Sequence, residues 1–65
     1  MLSLDAKKLL NFMYSNKGLL RNFLIAMSVI EKKDRQTHKV LKELTDNNII
    51  EKITSNKTEY WKIIN

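Results

Sequence analysis

"LKELTDNNIIEKITSNKTEYWKII", residues 41–64, changes its periodicity partway along. Up to Asp46 the apolar residues recur at helical spacing. Beyond it they fall in short runs, first Ile50 and Ile53, then Tyr60, Trp61, Ile63 and Ile64, the pattern of two strands. Asn47 and Asn48 stand at the change, and asparagine tolerates the left-handed backbone with which many helices end. "TSNK", residues 54–57, reads as the turn between the strands, with Asn56 as its left-handed residue. Alternation sets Trp61 and Ile63 on one face of the second strand and Tyr60, Lys62 and Ile64 on the other. Both faces carry apolar groups, so the pattern leaves open which one meets the core.

Working back from this stretch, residues 31–48 predict a helix that Asp34 caps and that begins near Arg35. Thr37, Val40, Leu41 and Leu44 share its apolar face, while Arg35, Lys39, Lys42 and Asp46 share the opposite one, with Gln36 and Glu43 beside them. "LLRNFLIAMSVI", residues 19–30, is apolar on most sides. Leu20, Phe23, Leu24 and Met27 are expected to face a common core, and Leu19 and Leu20 offer a short strand ahead of the helix. At the N-terminal end, Ser3 is placed to cap a first helix, with Asp5 in its first turn where the helix dipole favours a negative charge. Ala6, Leu9, Leu10 and Met13 form its inner face, and Ser15, Asn16 and Gly18 are a stop signal. Leu4, Lys8 and Phe12 fall on the other side. An exposed Leu4–Phe12 pair reads either as a dimer contact or as apolar surface covered by the hairpin or a terminus.

Composition sets the limits. Sixty-five residues make one domain, residues 1–65, with 43% apolar residues for a single core. A chain of this size buries only about 60% of the surface its unfolded form exposes, so its stability is thin. It contains no cysteine, which suits the cytoplasm and excludes both disulfides and thiolate metal sites. No membrane span or secretory leader is expected from the order of its residues. The net charge is +5, from 12 cationic and 7 acidic residues, and the pI is near 9.7. That balance fits a polyanionic partner, though it also serves solubility.

The expected order is helix, short strand, helix, helix, strand, turn, strand, a mainly α domain with a small β-hairpin (α+β). It resembles the winged helix-turn-helix superfamily of DNA-binding domains. "IA" at Ile25 and Ala26 is similar to the family's small-residue site, where the third helix crosses the second closely. "THKVLKEL", residues 37–44, is similar to the body of a recognition helix. "NNII", residues 47–50, resembles the turn into the first wing strand, and "EKITSNKTEYWKII" the wing. Two departures stand out: asparagine replaces the usual glycine after the third helix, and "SVIEKKDRQ" lacks the glycine common between the second and third.

The resemblance implies that helix 3 enters the major groove of double-stranded DNA. Arg35 would then reach a guanine edge, and Gln36 an adenine or a phosphate. Lys32, Lys33, Lys39 and Lys42 would hold phosphates, which give affinity without sequence information. His38, the one histidine, is expected half-buried or facing a phosphate. Ser55, Asn56 and Lys57 at the wing tip would meet the flanking backbone. Lys17, Arg21 and Asn22, at the start of helix 2, would add phosphate contacts near its N–H groups. Each set has a plainer reading, as a solvated charged face, an exposed turn, or helix capping. Tyr60 and Trp61, adjacent aromatics on a strand, could stack on single-stranded bases, but the stronger expectation is that Trp61 anchors the hairpin on the core, with Tyr60 covering an edge. No catalytic arrangement, metal-ligand cluster or cofactor motif stands out, so no enzyme, cofactor or small-molecule substrate is expected. The function expected is that of a small transcriptional regulator. The alternative is an interaction module in a replication, recombination or transcription complex. A homodimer or a larger protein partner accompanies either.

Overall fold

A computed structural model describes residues 1–64. The elements run α1 (Leu4–Tyr14), β1 (Leu19–Leu20), α2 (Phe23–Ile30), α3 (Asp34–Asp46), β2 (Ile50–Ser55) and β3 (Thr58–Ile63). The strands form one antiparallel sheet in the order β1-β3-β2, giving an α+β domain. Among the described residues no helix is long and apolar enough to cross a membrane.

Ser3 opens α1 as expected, its hydroxyl accepting the N–H of Ala6 at 3.1 Å. α1 closes when Asn16 donates its side-chain amide to the Phe12 carbonyl at 2.8 Å. The chain then turns through Lys17 and Gly18, both with positive φ (61° and 73°). Glycine takes that conformation freely, whereas lysine is strained by its Cβ. The turn leads into β1, where Leu19 pairs with Lys62 and Leu20 with Trp61. Asn22 caps α2, its side-chain oxygen accepting the Ile25 N–H at 3.0 Å.

The core joins Ala6, Leu9 and Met13 of α1, Leu20 of β1, Ala26 and Ile30 of α2, Val40, Leu41 and Leu44 of α3, and Ile50 and Trp61 of the hairpin. Thr37 is buried with them, and its hydroxyl is satisfied by the Lys33 carbonyl at 2.9 Å. The register resolves the open question of the hairpin. Ile50 stands opposite Ile63 and Lys52 opposite Trp61, so Trp61 and Ile63 face inward. Tyr60 and Lys62 lie on the outer face.

Several expectations are corrected. Leu24 does not join the core: it is 74% exposed, and the buried residues of α2 are Ala26 and Ile30. With apolar groups on nearly every side, α2 turns Ala26 and Ile30 inward, and the small Ala26 lets helices approach closely. Phe12 is half-buried against the core rather than exposed, while Leu4 is exposed. α3 begins at Asp34, with Lys33 as its N-cap residue and no side-chain cap bond. The Asp34 carboxylate is engaged instead by His38. Thr54 and Ser55 belong to β2, paired with Glu59 and Thr58, which leaves Asn56 and Lys57 as a two-residue loop. Asn56 has the positive φ (55°) that such tight hairpins require. Asn48 takes the left-handed turn after α3 (φ 58°), and Glu31 takes the one after α2 (φ 55°) where a glycine was missed.

Candidate nucleic-acid interface

α3 is pinned by one stripe and bare on the other. Thr37, Val40, Leu41 and Leu44, spaced three and four apart, are buried. At 3.6 residues per turn, that spacing aims Arg35, Lys39 and Lys42 directly away from the core. All three are exposed, as are Lys32 and Lys33 in the loop just ahead of the helix. Asp34 is the lone acid between residues 32 and 42. Arg35 and Lys42 are seven residues apart, about 10 Å along the axis at ~1.5 Å per residue. The ridge is thus about as long as a major groove is wide, ~12 Å.

Gln36 and His38 flank this ridge on opposite sides. Gln36 is exposed. The His38 ring stacks on Phe23 of α2, with centroids 4.3 Å apart and planes tilted by 31°. Its Nδ1 lies 2.9 Å from Asp34 Oδ1 and 3.1 Å from the Asp34 carbonyl. Both are acceptors, so Nδ1 carries the hydrogen and Nε2 points away from them. His38 is therefore exposed yet held, which removes the half-buried one of its two expected settings. Lys42 lies 3.4 Å from Asp46, both well exposed, a pair that solvent screens and that leaves the lysine available.

On the far flank Glu43 accepts two bonds from Ser3, one from its N–H at 2.7 Å and one from its hydroxyl at 2.8 Å. The Ser3 backbone N–H first, and its hydroxyl second, hold the Glu43 carboxyl below its usual range. This clasp ties α3 to the start of α1. Nothing local in the sequence announces it, because its partners are 40 residues apart.

The hairpin tip presents Ser55, Asn56 and Lys57, all exposed. Lys52 is drawn inward, 2.8 Å from Glu59 and 5.9 Å from the Trp61 ring centre. Lys57 is therefore the cation at the tip itself. Of the helix 2 group, Asn22 is engaged by its own helix. Lys17 and Arg21 line a cleft with Phe12, Ser15, Asn16, Leu19 and Ile25, and no α3 residue lines it. The predicted residues thus fall into an α3 ridge, a hairpin tip and a separate basic cleft beside β1. No protein-family model, curated protein or solved structure matches the chain.

Proposed function

We propose that this chain is a DNA-binding domain of the winged helix-turn-helix kind, with α3 seated in the major groove and the Asn56–Lys57 tip on the flanking backbone. The observation that carries the reading is the ridge of Arg35, Lys39 and Lys42, exposed together on the side of α3 opposite its buried stripe. The strand order β1-β3-β2, with the hairpin directly after α3, supports it. So does the net charge of +5. Lysines 32, 33, 39 and 42 supply phosphate contacts, and Arg35 and Gln36 supply the planar donors that base edges match. A small regulator of transcription is the role this fits best.

The test is a fluorescence-anisotropy titration of duplex at two salt concentrations. If a protomer neutralises about four phosphates, log K falls with log salt with a slope of about −3 to −4. Arg35→Glu or Lys39→Glu is expected to weaken binding about tenfold or more, the size of one good charged contact. Lys7→Glu on α1 changes the charge equally but lies off the ridge, and is expected to cost about twofold at most once salt screens it. Equal, small effects from all three overturn the groove assignment. A second reading, as an interaction module, is favoured by the cleft beside β1.

A further inference from the structure

Two hollows meet at Leu19 and Arg21. One, of about 240 Å³, is walled by Phe12, Leu19 and Ile25 and rimmed by Lys17 and Arg21. The other, of about 480 Å³, lies between Leu19, Arg21, Thr58 and Tyr60. Sharing these two residues, they make a groove beside β1, one of the two edge strands of the sheet. The only charged residues lining it are Lys17 and Arg21, and neither has an ion-pair partner among the described residues.

We propose that this groove binds a short acidic and apolar segment of a partner protein, with an apolar side chain between Phe12 and Ile25 and carboxylates on Lys17 and Arg21. The inference stands apart from the α3 ridge, since no residue of α3 lines either hollow. Charge complementarity selects the occupant. A second copy of the chain would bring Lys17 and Arg21 against like charges on a molecule already at +5. A duplex backbone would satisfy the two cations but has nothing to offer the walls of Phe12, Leu19 and Ile25. Single-stranded bases need an open aromatic face on which to stack, and both Phe12 and Tyr60 are half-buried. The first hollow, of about 240 Å³, is below the roughly 300–1,000 Å³ of a typical small-molecule site and the second, of about 480 Å³, is within it, so one small molecule fills a single hollow whereas an extended peptide reaches both. In the first, the apolar walls of Phe12, Leu19 and Ile25 suit an anchoring side chain.

The cations can be removed without harming the fold. Lys17 sits at φ 61°, where glycine is at ease, so Lys17→Gly deletes the charge and relieves the backbone together. Arg21→Gln removes the other cation from an exposed position.

The experiment titrates the ¹⁵N-labelled full chain, followed by its amide shifts, with a peptide of about a dozen alternating aspartate and leucine residues. The result expected is saturable shifts at Phe12, Leu19, Arg21, Ile25 and Tyr60. The Lys17→Gly, Arg21→Gln double variant should weaken binding about tenfold, as loss of two charged contacts implies. A control peptide with serine for leucine should bind much more weakly. Equal binding of that control overturns the proposal in favour of plain charge attraction. Stronger shifts of these amides with oligo-dT or duplex assign the groove to nucleic acid. Shifts that depend on protein concentration alone assign it to self-association. No shift at all removes the site, and none of these outcomes depends on the α3 variants.

Discussion

α2 carries no charged residue in Phe23–Ile30, whereas α3 carries charge on every turn of Asp34–Asp46. The less apolar helix is the one whose orientation its sequence declares. In α3 the contrast between faces selects a single inner stripe, Thr37, Val40, Leu41 and Leu44, and all four are buried. In α2 nearly every side would suit a core, so periodicity does not choose. The helix buries Ala26 and Ile30 and leaves Leu24 in solvent. Orientation is encoded by difference along a helix, and not by the amount of apolar surface it carries.

The sharpest way to break this comparison exchanges one leucine from each helix. Leu44→Ala is expected to cost about 2–5 kcal/mol in urea unfolding, since Leu44 is fully buried. That is a large part of the total stability expected of so small a domain, on the order of 0.05–0.15 kcal/mol per residue. Leu24→Ala, on the exposed side of α2, is expected to stay within about 0.5 kcal/mol of the parent. Comparable losses from the two would mean that α2 is turned the other way.

A smaller effect is expected at the joint between the two helices. Glu31 holds φ 55°, and a non-glycine residue there pays roughly 1–2 kcal/mol in strain. Glu31→Gly relieves that strain but frees the unfolded chain. The net expectation is about 0.5–1 kcal/mol of added stability, seen as a melting temperature a few degrees higher. A lower melting temperature would show that Glu31 makes a contribution which outweighs its backbone.

The smallest effect concerns how α3 is tied to α1. Glu43 has its pKa lowered by the Ser3 N–H and hydroxyl, from an ordinary value of 4.5. A depressed carboxyl contributes stability above its unfolded pKa and loses it as pH falls through the folded one. Melting temperatures taken near neutral pH and below about pH 4 should therefore fall further for the parent than for Glu43→Gln. Identical acid sensitivity in the two would remove the clasp as a source of stability.

What the sequence announced follows the same logic of contrast. The cap at Ser3, the left-handed turn within the Asn47–Asn48 pair, the turn at Asn56, the buried stripe of α3 and its basic ridge were legible because each rests on neighbours in the chain. Glu31 and Lys17 in left-handed conformations were not, because no residue type other than glycine or asparagine signals them. The Ser3–Glu43 clasp, the His38–Phe23 stack and the cleft that gathers Phe12, Lys17 and Arg21 were hidden for another reason. Each is made by elements distant in sequence, and only their assembly brings the groups together. Asp34 misled because a carboxylate ahead of a helix has two uses, and here His38 took it.

The place of β3 has a bearing on synthesis. It is the middle strand of the sheet and the last in chain order of the described elements. α1, α2 and α3 have 11, 8 and 13 residues, at or below the length of about 12–15 at which isolated helices begin to persist in water. While residues 58–63 are still within the ribosome, β1 and β2 have no strand between them, and Leu20 and Ile50 lack the neighbours that cover them. A nascent chain therefore gains little by folding piecemeal. The domain is expected to close as a unit only when residues 58–63 are available to pair with both β1 and β2.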